Sequence, residues 1–111
     1  MIHLLRSSAT PQQLDEMAET GEDFIKVAVD IRLEILAGGG DKHADCEKVL
    51  LDNGSQQEDV WGATWWTGTK YIRHESLINI RPRQKNFSMV IGDQTICDRV
   101  TKVIRRLLEG I

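Results

Sequence analysis

Hydrophobic residues recur at helical spacing most clearly near the carboxyl end. Ile96, Val100, Val103, Ile104, Leu107, Leu108 and Ile111 form one stripe, and Arg99, Lys102 and Arg106 fall on the opposite side. This predicts an amphipathic helix opened by Asp93, whose carboxylate can take up free amides of the first turn. A shorter helix is predicted near the amino end. Thr10 can cap it, Pro11 suits the first helical position, and Gln13 completes a capping box. Leu14, Met17 and Ala18 make its stripe, and Gly21 offers a left-handed end.

Between these helices the period drops to two. Over residues 24–37, Ile25, Val27, Val29 and Ile31 share one face, and Phe24, Lys26, Ala28 and Asp30 the other. The run is long for one strand, so two strands turning near residues 32–34 are predicted, although no glycine or asparagine marks the turn. Gly38-Gly39-Gly40 reads as a flexible connection. A strand is then expected over 44–51, with Asn53-Gly54 as a hairpin turn into a partner strand over 57–66. Thr67-Gly68-Thr69-Lys70 turns into a longer strand over 71–80, which Pro82 ends because it cannot donate to a ladder. In that strand Ile72, His74, Ser76, Ile78 and Ile80 alternate with Arg73, Glu75, Leu77 and Asn79, and a short edge strand is expected over 88–91. The expectation is an α+β fold in which residues 1–111 form a single domain. It has an antiparallel sheet of about five strands, with an N-terminal and a C-terminal helix packed on one face.

Composition narrows the class. With 41% hydrophobic and 28% charged residues in 111, nine glycines and two cysteines, the chain is neither disordered, collagenous nor a disulfide scaffold. No apolar run approaches the roughly 18 residues that span a bilayer. The amino terminus lacks a secretory pattern, and Cys46 and Cys97 are too few to staple a secreted mini-fold. The expected location is cytoplasmic, without membrane contact. Charge is uneven: residues 1–59 carry −8 and residues 60–111 carry +5, for −3 overall. Either the halves neutralise each other in the fold, or one basic face remains to meet an anionic partner.

Five segments taken in order carry a resemblance: Lys26-Val27-Ala28-Val29-Asp30, Leu36-Ala37-Gly38-Gly39-Gly40, His43-Ala44-Asp45-Cys46-Glu47, Gln57-Glu58-Asp59-Val60-Trp61-Gly62 and Leu77-Ile78-Asn79-Ile80-Arg81-Pro82-Arg83-Gln84. Together they resemble a family of small bacterial proteins, frequent in cyanobacteria and classed as a domain of unknown function. The likeness covers nearly the whole chain and implies no activity, substrate or catalytic residue. Thr64-Trp65-Trp66-Thr67-Gly68 departs from the pattern, where a proline-containing turn is expected.

Several residues could carry chemistry. His43 and Cys46 are metal-competent, but one such pair lacks the second that structural zinc sites use, and on a strand the two would face opposite ways. Buried Cys46 with surface His43 is the plainer reading. The glycine run is followed by neither a P-loop nor a dinucleotide fingerprint. Asp30, Glu34, Asp41, Asp45, Glu58 and Asp59 could converge on Mg²⁺. Asp30 stands out, since burial of its face would demand a partner such as Lys26. His74 reads as a hydrogen-bonded core residue, and Ser76 beside it invites a nucleophile–base pair with no third group to orient it. Arg81, Arg83 and Lys85 with Phe87 form a cationic, proline-stiffened loop suited to an anion or a base, which Arg99, Lys102 and Arg106 could extend. The competing account is internal pairing of those arginines with the acidic half. Trp61 and Trp65 share a face, and Trp66 takes the other as a candidate contact residue.

The leading functional expectation is a non-enzymatic binding module, requiring no cofactor and forming a homo-oligomer. It would contact an acidic protein, a nucleic acid or its own copy through Arg81, Arg83, Lys85, Phe87 and Trp66. The alternative is a metal-assisted hydrolase with Asp30, Asp45 or His74 in catalysis, His43 and Cys46 as metal candidates, and an arginine clamp for the anion.

Overall fold

The computed structural model describes residues 1–18 and 23–111; the helix end expected at Gly21 lies outside them. Five strands form one antiparallel sheet: β1 (His3–Leu5), β2 (Phe24–Asp30), β3 (Ile35–Gly38), β4 (Val60–Trp66) and β5 (Ile72–Arg73), in spatial order β1-β3-β2-β4-β5. Three α-helices accompany it among the described residues: α1 (Pro11–Ala18), α2 (His43–Asp52) and α3 (Gln94–Glu109). The α+β class stands, with α1 and α3 on the same face as expected.

That face is built by alternation. Ile25, Val27 and Val29 of β2, Leu36 of β3, and Trp61, Ala63 and Trp65 of β4 form a continuous apolar layer. α3 lays Val100, Val103, Ile104, Leu107 and Leu108 on it, and α1 adds Met17. Both caps form. Thr10 Oγ1 accepts from the Gln13 amide (3.1 Å) and Gln13 Oε1 from the Thr10 amide (2.9 Å). The Asp93 carboxylate accepts from the amides of Thr95 and Ile96. Gly110, at φ 73°, ends α3, so Ile111 leaves the stripe and is exposed.

The β2–β3 turn closes without glycine because Asp30 Oδ1 accepts from the amides of Arg32 and Leu33, both at 2.9 Å, and Glu34 adopts a left-handed φ of 57°. Arg99 and Arg106 of α3 donate to the carbonyls of Ile31 and Glu34 at this turn. These two arginines pin the turn to the helix instead of extending a basic patch.

The second face holds the main departure. Residues 44–51, expected as a strand, belong to helix α2. Cys46 and Leu50, four apart, pack on Ala28, Ile35, Ala37 and Val60. Asn53-Gly54 is therefore no hairpin: the amides of Asn53 and Ser55 both return to the Leu50 carbonyl, and Gly54 sits at φ 100° just past the helix. A primed hairpin turn and a helix terminus demand the same left-handed backbone, so one dipeptide serves either.

Other boundaries move as well. Gly38 is ordered within β3, paired with His3 and Val27, and a Cβ there would meet Val27 and Met17 at 3.0 and 3.2 Å. Residues 57–59 form a 3₁₀ turn ahead of β4. Of the strand expected over 71–80, only Ile72 and Arg73 pair with β4, and the expected edge strand reduces to a single bridge between Glu75 and Val90. Among the described residues, no helix is long and apolar enough to cross a membrane.

Candidate functional site

Beyond β5 the edge of β4 would expose unpaired backbone groups. Arg73 pairs with Thr64, after which the outer chain bulges through a 3₁₀ turn (Leu77–Asn79) and returns with Asn79 beside Gly62. Gly62 permits this approach, since a Cβ there would lie 2.6 Å from Ser76 Cβ. The Asn79 carboxamide then substitutes for a strand backbone. Its Oδ1 accepts from the Gly62 amide (2.7 Å), and its Nδ2 donates to the Gly62 carbonyl (3.0 Å) and to the Met89 carbonyl (3.1 Å).

Two more buried polar side chains continue the arrangement. Arg81 donates to the carbonyls of Val60, Gln57 and Ile78, pairs with Glu47 at 3.2 Å, and lies 4.8 Å from the centre of the Trp61 ring. Burial lowers its pKa and the adjacent Glu47 carboxylate opposes that shift. Asn86 donates to the carbonyls of Asn79, Ser88 and Val90 and accepts from the Gly92 amide. Arg81 and Asn86 also exchange backbone hydrogen bonds around a second 3₁₀ turn (Pro82–Gln84) and a left-handed Lys85.

This segment is inside-out. Asn79, Arg81 and Asn86 are buried, whereas Leu77 is 70% exposed, Phe87 73%, Val90 51%, Ile80 43% and Met89 38%. Leu77 and Ile80 line a groove of about 670 Å³, with Glu47 and Glu58 as its acidic residues and Arg83 among its basic ones. Leu77 and Met89 also line a second hollow of about 260 Å³, beside Lys26 and His43. Arg81 is thus corrected from a surface cation to an internal anchor: five carbonyl, amide and carboxylate acceptors satisfy its guanidinium. Arg83, Lys85 and Phe87 are exposed, and among the described residues neither cation forms an ion pair.

The remaining candidates are dispersed. Asp30 is fully buried, but its partners are the turn amides and the Ser55 hydroxyl (2.6 Å); Lys26, the partner expected, donates instead to the Asp41 carbonyl. Asp45 is exposed and accepts from the Lys42 amide at the start of α2. His43, on that first turn, holds the Ala63 carbonyl (2.9 Å) and Thr64 hydroxyl (3.2 Å), and burial lowers its pKa. Cys46 is buried one helical turn on from His43, and burial pushes its thiol up to about 11. His74 is half-buried against Thr101 Oγ1 (2.8 Å), its pKa also lowered by burial, while Ser76 Oγ accepts from the Ile78 amide. His74 and Ser76 do not engage each other. Trp66 packs between Phe24 and Tyr71 at the end of β4 opposite Val60, away from the Arg81 loop. Among the described residues, no group of three or more His, Cys, Asp or Glu side chains is placed to hold a metal ion.

Sequence reasoning missed Asn79, Asn86, Gly62, Leu77 and Ile80. Residues 78–81 alternate apolar and polar, yet the side chains turned inward are Asn79 and Arg81, the reverse of the usual assignment, so the pattern shows two faces without showing which is buried. A family model described as "Protein of unknown function (DUF5674)" matches residues 3–107. No curated protein and no solved structure matches significantly.

Proposed function

The chain belongs to the family described as Protein of unknown function (DUF5674), and from that premise we propose that it is a non-enzymatic binding module acting in the cytoplasm. Its contact surface is the 77–90 segment, and it meets either an anionic protein surface or its own copy. The observation that carries this reading is the inverted polarity of the segment: Asn79, Arg81 and Asn86 are buried and spent on fixing the backbone, while Leu77, Ile80, Phe87, Met89 and Val90 are left in water. Exposed apolar groups on a loop already held rigid lose little entropy on binding, which favours recognition. Arg83 and Lys85 supply a polar rim. Free thiols at Cys46 and Cys97 accord with a reducing compartment.

The test is affinity capture from native extract with the tagged chain and its Leu77→Asp and Phe87→Asp variants, quantified by mass spectrometry. Both substituted positions are exposed, so the fold is retained. Specifically captured proteins, the untagged chain included, should fall at least tenfold with either variant. An identical captured set from all three would refute the assignment.

A further inference from the structure

We infer that the occupant of this surface is a second copy of the chain, related by a two-fold axis passing near Leu77 and Ile80; this rests on the binding-surface reading above. Two properties of the surface point to self-recognition. The first is charge. Glu58 and Arg83 line the same groove as Leu77 and Ile80, yet among the described residues neither forms an ion pair. A groove carrying both signs is poorly suited to a purely anionic partner. In the inferred two-fold dimer, Arg83 of one copy meets Glu58 of the other, twice over. Glu47 takes no part, being already paired with Arg81.

The second property is shape. Leu77 lines both the 670 Å³ groove and the 260 Å³ hollow, so it stands between two depressions with most of its side chain in solvent. A projecting apolar residue beside recesses that fit such a residue is the self-complementary pattern an isologous contact requires. Leu77, Ile80 and Met89, which line the two recesses, are 70%, 43% and 38% exposed, an apolar patch of the kind that marks contact sites. A charged rim would bring it toward the ~800 Å² per partner of a stable interface.

Sedimentation velocity on the purified chain across the micromolar range tests this, at low and at high salt. We expect a dimer, weakened at least tenfold in Kd by Arg83→Glu or by Glu58→Arg alone. The charge-swapped double variant, Arg83→Glu with Glu58→Arg, should return to within about threefold of the parent, the signature of a direct cross-copy pair. Leu77→Asp should be monomeric, with a urea midpoint equal to the parent's when both are measured well below the parent's Kd. A monomer at ~200 µM, a dimer indifferent to all four variants, or a double variant no tighter than the singles would each overturn the inference. A monomeric chain whose Leu77→Asp variant still loses captured proteins in extract would leave the binding module standing with a different partner. Loss of neither property would remove both.

Discussion

Replacing Asn79 with alanine should destabilise the fold by about 3–5 kcal/mol. The side chain is completely buried and makes three hydrogen bonds, to both backbone groups of Gly62 and to the Met89 carbonyl. Each buried backbone group left without a partner costs ~1–3 kcal/mol, and alanine offers none in return. Against the ~5–15 kcal/mol typical of a domain this size, the loss is a large fraction of the total. It corresponds to a fall in Tm of roughly 10–25 °C. Urea unfolding followed by tryptophan emission reads it directly, because Trp61 and Trp65 are each 1% exposed and shift on unfolding. Native-state hydrogen exchange locates the effect: the Gly62 amide, which donates to this carboxamide, should lose protection ahead of its neighbours. Asn79→Asp adds a pH signature. A carboxylate can still accept from the Gly62 amide, but its second oxygen would face two carbonyls, so the folded state favours the protonated acid and raises the pKa above the unfolded ~3.9. Relative to the parent, this variant should be least impaired below about pH 4 and lose stability as pH rises through its folded pKa. Losses under ~1 kcal/mol in both variants, with Gly62 exchange unchanged, would refute the role of Asn79 as a strand substitute.

Three further outcomes are expected. Arg81→Met should cost about 3–5 kcal/mol by leaving Glu47, only 13% exposed, without its cation and three carbonyls without their donor, and adding Glu47→Leu should recover the carboxylate's share of that loss in the same urea assay. A double variant as unstable as the single would show that the carbonyls, not the ion pair, dominate. Gly62→Ala should destabilise by ~1–3 kcal/mol because its Cβ would overlap Ser76, and Ser76→Gly should partly restore the midpoint; no change in the single variant would contradict the close approach. His43 should titrate below 6.5, since burial disfavours its charged form. Because the unfolded histidine then binds its proton more readily, acidification from about pH 6.5 should lower stability until the folded pKa is passed. An imidazole midpoint at or above 6.5 in a proton NMR titration would contradict this.

Locally encoded features were legible in the amino-acid sequence. The α3 stripe, the caps at Thr10 and Asp93, and the alternation of β2 each depend on residues a few positions apart, so periodicity and side-chain chemistry suffice to specify them. Helix α2 was not, because only Cys46 and Leu50 of its ten residues are buried, too few to distinguish a period of 3.6 from one of 2, and Asn53-Gly54 suits either ending. The inverted segment lay further out of reach. Asn79 and Arg81 turn inward because Gly62, Gln57 and Val60, distant in sequence, present backbone groups that β5 is too short to satisfy. Burying those groups unpaired would cost more than burying a polar side chain that completes them, so the sheet edge draws the polar residues in and leaves Leu77 and Ile80 in solvent. That exchange is decided between segments brought together by tertiary structure: the alternation over 78–81 marks two faces, and only the sheet edge decides which of them is buried.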